Sequence, residues 1–300
     1  MLIKLQKSNN KIKITIVGPP NSGKTTIKKV YFEMANPMEL LQKSLKPTKG
    51  LNSNTFTFFD LDLGVFDLAG QENDNWFSKE NVVFTGSNII ICVFDITSPL
   101  DSIIQFFVKL LEIKEDIELQ SCKIVIFLHK IDLVNASYPN VVSNFIKKQI
   151  KLRQINEENI KIYKTSITKD YFFNTYKIIT DILILFHEID LRAITKQEFN
   201  SLEVELSIIL KCRHSIKHYN DDIAKYYHFS SSTVKFHLDR LEHLGFIRYP
   251  LMEPFAFILT NRAYWFKIGL EKEEEKVLSN KLNIGIELLH TFLNFEKTYS

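Results

Sequence analysis

Cysteine, charge of one sign and long apolar runs are all scarce in this chain, and each shortage closes off a class of function. Only three cysteines occur, Cys92, Cys122 and Cys212. They sit in apolar or helical stretches without ligand-like spacing, so they read as reduced core residues of a cytoplasmic protein. His187, His214 and His218 have no glutamate or cysteine clustered with them, which argues against a metal site there. The net formal charge is only +3 over 300 residues, so the charge balance points to no strongly electrostatic partner. No window reaches eighteen uncharged apolar residues, against a membrane-spanning helix. The opening Met1-Leu2-Ile3-Lys4 turns polar too early for a signal peptide. Position 2 is not glycine and the stretch Phe292 to Ser300 has no cysteine, so the common lipid anchors lack an acceptor. Direct membrane insertion is not expected, and any membrane association would come through a partner.

What is present is a hydrophobic content of 45%, enough to fill one large or two medium cores. The most informative stretch is Gly18-Pro19-Pro20-Asn21-Ser22-Gly23-Lys24-Thr25, a complete G-x-x-x-x-G-K-[ST] loop. It follows the β-branched run Ile12 to Val17 and precedes a helix expected from about Lys24 through Ile27, Val30 and Tyr31. A strand, a glycine-bearing loop and a helix start in that order aim backbone N–H groups at one point, where phosphate binds. Lys24 can extend to the β- and γ-phosphates, and the Thr25 hydroxyl can take one position on Mg²⁺. The expected cradle is Gly18, Asn21, Ser22, Gly23, Lys24, Thr25 and Thr26.

Residues 11–190 alternate strand-like and helix-like runs, as in an α/β domain with a mostly parallel central sheet. Strands are expected at Thr55 to Phe59, Leu63 to Asp67, Ile89 to Phe94, Lys123 to Leu128 and Ile160 to Tyr163. A tight turn falls near Asp60 to Asp62, and helices at about 100 to 118, 139 to 153 and 171 to 189. From about Leu191 the pattern changes to a smaller domain, 191–300. A helix near Leu202 to Cys212, another at 220 to 227, a turn at Phe229 to Ser232 and a helix at 233 to 244 precede a strand pair, Phe246 to Tyr249 with Phe255 to Thr260. That order is the pattern of a winged helix-turn-helix. Leu238, Leu241 and Leu244 would form its core, and Gly245 would stop its last helix. An amphipathic C-terminal helix is expected from Glu271 to Phe295, with an apolar stripe that includes Val277, Leu282, Ile286 and Leu289.

Three further motifs narrow the ligand. Asp67-Leu68-Ala69-Gly70-Gln71 closes a strand, where Asp67 can hold a metal-bound water, Gly70 can offer its N–H to a γ-phosphate, and Gln71 can orient an attacking water. His129-Lys130-Ile131-Asp132 closes the strand from Lys123. Its Asp132 can accept from N1–H and the N2 amine of guanine, a pairing that adenine cannot make. The stem of Lys130 can lie across the base, and Thr165-Ser166-Ile167 can supply amides to the guanine oxygen.

These motifs together resemble a Ras-superfamily small GTPase over about residues 11 to 190. His129 and the Thr165-Ser166-Ile167 triplet resemble the Rag/Gtr branch. The resemblance implies GTP/GDP and Mg²⁺ as ligands, with Thr25, Thr48 and, through water, Asp67 at the metal. It also implies Gln71 as the catalytic residue, His129, Lys130, Asp132, Ser166 and Ile167 at the base, and slow hydrolysis aided by an activating protein. Thr48 in Pro47-Thr48-Lys49-Gly50 is the first-switch threonine on this reading; Thr55 and Thr57 are rivals within an expected strand. Two features depart from the branch. Pro20 stands where many relatives have glycine, and the C-terminal pattern is winged-helix where Rag/Gtr relatives carry a roadblock-type dimerisation domain.

The expected function is therefore a GTP-binding molecular switch that signals to protein effectors, with dimerisation through the C-terminal region an open possibility. A nucleotide-gated DNA-binding regulator and a scaffold with little hydrolysis are the alternatives. The helix Ser232 to Leu244 carries Lys235, His237, Arg240 and His243 against Asp239 and Glu242. That surface is sparse for a DNA-reading helix, so protein docking is favoured over DNA. Phe172 and Phe173 read as packing residues, whereas Trp76-Phe77 falls in the expected second switch and reads as a potential effector surface.

Overall fold

The computed structural model describes residues 11–43, 45–58, 61–78, 83–114, 122–185, 194–273, 278–293 and 295–297. In chain order its elements begin with β1 (Lys11–Val17), α1 (Lys24–Ile27), α2 (Pro37–Gln42), β2 (Leu51–Phe58), β3 (Leu61–Leu68) and α3 (Asn73–Trp76). They continue with β4 (Ile89–Asp95), α4 (Leu100–Lys114), β5 (Lys123–His129), α5 (Tyr138–Leu152), β6 (Ile160–Thr165) and α6 (Lys169–Leu185). The remainder is α7 (Lys196–Lys211), β7 (Lys217–Tyr219), α8 (Asn220–Tyr227), α9 (Ser231–His243), β8 (Ile247–Arg248), β9 (Ala256–Leu259), α10 (Asn261–Lys272), α11 (Leu278–Leu293) and β10 (Phe295–Lys297). Contacts group these into two compact units. One takes the chain up to Lys28, Lys46–Ser166 and the segment from Phe295; the other takes Lys29–Leu45 and Ile167–Asn294. The boundary expected at residues 190 and 191 lies outside the described residues.

The first unit is built on a seven-stranded sheet in the order β10-β2-β3-β1-β4-β5-β6. β3, β1, β4, β5 and β6 run parallel; at one edge β2 pairs antiparallel with β3, and β10 pairs antiparallel with β2. The parallel centre follows from composition. Every residue from Ile89 to Phe94 in β4 is buried, as a strand covered on both faces must be. The sequence placed these strands correctly to within a few residues, except that β2 begins earlier, at Leu51. Asp60, in the expected turn, lies outside the described residues. The loops at the C-terminal ends of β1, β3, β5 and β6 carry the four motifs. In this topology those ends sit on one side of the sheet, where ligands of open α/β sheets bind.

The second unit contains the expected winged helix. α7, β7, α8 and α9 are followed by β8 and β9, and the three strands pair in the order β7-β9-β8. Leu238, Leu241 and Leu244 are fully buried. Gly245, at φ +66°, ends α9 by donating to the Glu242 carbonyl at 2.8 Å while Phe246 donates to that of Leu241 at 2.9 Å. The Ser230 hydroxyl caps α9 by accepting from the Thr233 amide, so that serine acts as a helix cap. The single tail helix expected over Glu271 to Phe295 is corrected. α10 ends at Lys272, α11 starts at Leu278, and Phe295 is in a strand. Val277 lies outside the described residues. Phe172 and Phe173 of α6 are core residues.

Candidate functional site

The loop after β1 is shaped by residues that few others could replace. Gly18 has φ +153°, and a Cβ there would meet the Val93 carbonyl oxygen at 2.2 Å. Gly23 has φ +99° and faces the His129 ring, whose Cδ2 would lie 2.6 Å from an added Cβ. Both positions therefore require glycine. Asn21 adopts the left-handed region at φ +59°, which asparagine tolerates better than most residues. Ser22 is buried, and Thr26 is half-buried in the first turn of α1.

Lys24 opens α1 and folds back over the loop. Its ammonium donates to the carbonyls of Gly18 at 2.8 Å and Pro19 at 2.7 Å, and to Ser22 Oγ at 3.4 Å. Burial lowers its pKa to about 8, with the carboxylate of Asp67 pulling the other way. A cation held dry among loop carbonyls is poised for an anion that would compensate its desolvation.

Beside it three oxygens converge. Thr25 Oγ1 donates to Asp67 Oδ2 at 2.7 Å and lies 2.9 Å from Thr48 Oγ1. A hydroxyl has one proton, and Thr25 gives its own to Asp67, so Thr48 is the donor to Thr25. Thr55 and Thr57, the rivals of Thr48, both lie within β2. Two hydroxyls and a carboxylate at such distances form an all-oxygen donor set that fits Mg²⁺.

Gly70 starts a 3-10 turn directly against the loop. A Cβ on it would lie 2.7 Å from both Lys24 Nζ and Pro20 N, and 2.8 Å from the Pro19 carbonyl carbon. Gln71, next in that turn, has an exposed side chain, and it is not drawn into the Thr25–Thr48–Asp67 cluster. Trp76 and Phe77 are not laid out as an exposed pair. Both are half-buried, with Trp76 Nε1 donating to the Ala69 carbonyl at 2.9 Å and Phe77 stacked on Phe84 at 5.9 Å.

At the base end, His129 Nδ1 lies 3.1 Å from Thr165 Oγ1. Burial, with the Lys130 charge adding to it, lowers the imidazole pKa to about 4, so the ring is neutral at pH 7. Lys130, at φ +63°, donates to the Asn21 carbonyl at 2.8 Å and to Asp95 Oδ2 at 2.6 Å. It thus ties the turn after β5 to the loop after β1. Asp132 is exposed and accepts from Ser166 Oγ at 2.5 Å; Ile167 follows and is buried.

Four residues to which the sequence reading gave no role hold these parts together. Asn73 Nδ2 donates to the Gly70 carbonyl at 2.5 Å and the Gly18 carbonyl at 3.3 Å, while its buried Oδ1 has no hydrogen bond among the described residues. Glu72 accepts from the Gly50 amide at 2.8 Å, and Gly50 in turn accepts from the Ala69 amide at 3.0 Å. Asp95, at the end of β4, anchors Lys130. Only Asp95 had a sequence signal, a carboxylate at the end of a buried parallel strand.

The model of the Gtr1/RagA G protein conserved region matches residues 13–217. The chain belongs to this family. This Gtr/RagA-family protein is 25% identical over 209 residues to the GTP-binding protein GTR1 of Saccharomyces cerevisiae, an alignment covering 66% of each chain. It is also 25% identical over 166 residues to ADP-ribosylation factor-like protein 2 of Dictyostelium discoideum, covering 55% of this chain and 83% of that one. ADP-ribosylation factor-like protein 1 of S. cerevisiae is 28% identical over 169 residues, 56% of this chain and 85% of the relative. The Gtr/RagA-family protein is thus a member of the nucleotide-binding GTPase superfamily. The family match stops at residue 217, before α8, α9 and the strand pair β8–β9. Among the described residues no helix is long and apolar enough to cross a membrane.

Proposed function

We propose that the protein is a GTP-binding molecular switch that hydrolyses GTP slowly with Mg²⁺ and signals to protein partners. The observation that carries this reading is the Thr25 hydroxyl, 2.7 Å from the Asp67 carboxylate and 2.9 Å from the Thr48 hydroxyl, beside the buried Lys24. Thr25 and Thr48 would hold the metal directly and Asp67 through water. Bound there, Mg²⁺ would neutralise charge on the β- and γ-phosphates. Lys24 and the amides of Asn21 to Thr26 cradle the phosphates, and the Gly70 N–H takes the γ-phosphate. Gln71, exposed on its turn, carries the amide that orients the attacking water. Asp132 reads N1–H and the N2 amine of guanine, with Ser166 fixing its orientation. The stem of Lys130 covers the base, and the amides of Ser166 and Ile167 serve the guanine oxygen.

Contacts to a γ-phosphate would order residues 45 to 52 and 70 to 78, and the hydrogen bonds of Gly50 to Glu72 and Ala69 support their moving as one. The winged helix is read as a protein-docking module. Its helix α9 has Lys235 paired with Asp239 at 2.9 Å and Arg240 with the buried Glu205 at 3.0 Å, which leaves little charge for a phosphate backbone.

Phosphate release from GTP, measured for wild type and Gln71→Leu with and without candidate activating proteins, tests the switch. Wild-type turnover no faster than the variant's throughout would leave the scaffold reading in its place. Asp132→Asn should shift preference from GTP towards XTP; unchanged guanine preference would overturn the base assignment. Binding of random duplex DNA at low salt would favour the DNA-regulator reading.

A further inference from the structure

The helix that opens with Lys24 and Thr25 does not continue as an α-helix. After α1 it widens into a π-helix over Lys28–Phe32, a rare conformation that tends to mark functional positions. The first turn is closed by the Ile27 amide on the Gly23 carbonyl at 2.9 Å, and the exit by the Ala35 amide on the Lys29 carbonyl at 2.9 Å. Between them the Val30 carbonyl accepts from Arg262 Nη1 at 2.5 Å, and Arg262 Nη2 lies 3.1 Å from Met34 Sδ.

Arg262 is itself unusual. It stands in the first turn of α10, is 0% exposed, and among the described residues no carboxylate pairs with it. Its guanidinium lies over the rings of Phe172, Tyr176 and Phe246 at 5.5, 5.2 and 5.8 Å. The surrounding backbone is fixed as well. A Cβ on Gly245 would lie 2.8 Å from the Met34 carbonyl oxygen, and the Thr260 hydroxyl, which caps α10, donates to the Gly245 carbonyl at 2.7 Å.

A buried cation with no counter-ion among the described residues is expensive, and a hydrocarbon would fill an aromatic box at lower cost. What the guanidinium adds over a hydrocarbon is a donor to the widened helix at Val30 and a second contact to Met34 just beyond it. We infer that Arg262 is a positioning residue for the nucleotide site, holding Val30 and so fixing the helix whose first turn carries Lys24 and Thr25. Nucleotide release is then set in part by α10, and a partner that shifts α10 changes release without touching the nucleotide. This inference rests on the guanine-nucleotide reading above.

The test uses the full chain loaded with a fluorescent GDP analogue in Mg²⁺, with release rate and melting temperature measured for Arg262→Met, Arg262→Lys and Leu241→Ala. Leu241 is fully buried in the winged helix, so its truncation reports general loss of stability. Arg262→Met is expected to speed release about tenfold, within the range of ordinary inter-site couplings. Arg262→Lys, which keeps a donor, should recover part of that change, and Leu241→Ala should leave release near wild type at a comparable loss in melting temperature. Wild-type release from Arg262→Met, or equal acceleration in Leu241→Ala, overturns the inference. If Arg262→Met does not fold, the same comparison between Arg262→Lys and Leu241→Ala decides. A wild-type chain that retains no guanine nucleotide overturns the functional reading as well, a result distinct from normal binding with no effect of Arg262.

Discussion

Thr25 donates its hydroxyl proton to Asp67 across 2.7 Å, joining the start of α1 to the end of β3. Thr48 reaches the same hydroxyl at 2.9 Å, so the segment before β2 closes on this pair. Removing one member should show whether the three act as a metal site. With Thr25→Ala, release of fluorescent GDP should accelerate at least about tenfold, on the scale of losses from metal-site substitutions, and chelation by EDTA should add little further. Full retention of the EDTA response would remove Thr25 from the metal.

Thr48→Ala should separate triphosphate from diphosphate. GDP release should stay near wild type while affinity for a non-hydrolysable GTP analogue falls, and Thr48→Ser, which keeps the hydroxyl, should restore it. Equal losses for both nucleotides in a titration would argue for a purely structural threonine.

Asn73 faces two carbonyl oxygens, Gly70 and Gly18, through its amide nitrogen. Asn73→Ala removes those bonds, whereas Asn73→Asp sets a carboxylate against the same carbonyls. The aspartate should therefore be the worse variant, with affinity for a GTP analogue lower by about tenfold, in keeping with the cost of an unsatisfied charged group. An aspartate variant that binds like wild type would show that the turn after Gly70 is held by other contacts.

His129 makes stability depend on acid. Its folded pKa of about 4 lies below the ordinary 6.5 because the ring is buried, so between those values the unfolded chain binds the extra proton. Stability should rise with pH through that window and be lost as pH falls towards 4. The whole difference amounts to about 3 kcal/mol at ~1.4 kcal/mol per unit. Urea unfolding at pH 7 and pH 4.5 should show the loss, and His129→Asn should flatten it.

Gly269 in α10 presses against Phe173 of α6, where a Cβ would lie 2.0 Å from the Phe173 Cβ. Gly269→Ala should destabilise the second unit by about 2 kcal/mol through overpacking. Thermal unfolding would reveal it, and an unshifted melting curve would mean that the two helices can part without penalty.

The positions of the loop Gly18 to Thr25, of Asp67 and of the run His129 to Asp132 at strand ends were legible because each motif lies in consecutive residues. Asn73, Glu72 and Gly50 were not, since their roles depend on hydrogen bonds between segments that share no periodic pattern. α10 escaped notice for a different reason. Arg262, Ala263, Trp265, Phe266 and Leu270 are all buried, so the helix lacks the broad polar face by which amphipathic helices are found. The π-turn after α1 and the three-residue β7 and β10 are too short or too dependent on packing to leave a signal. The winged helix was readable because its helix cap at Ser230 and its stop at Gly245 are written in single residues.

The outermost strand of the nucleotide sheet, β10, comes from Phe295–Lys297 and pairs with β2 through Phe295↔Phe58, Glu296↔Thr57 and Lys297↔Phe56. During synthesis β2 is made early and β10 only after the winged helix, so a nascent chain emerging from the ribosome carries β2 with its outer edge unpaired for most of translation. An unpaired edge is a template for other strands. Early termination between α6 and β10 would therefore yield a chain that holds all four sequence motifs and a sheet edge open to aggregation.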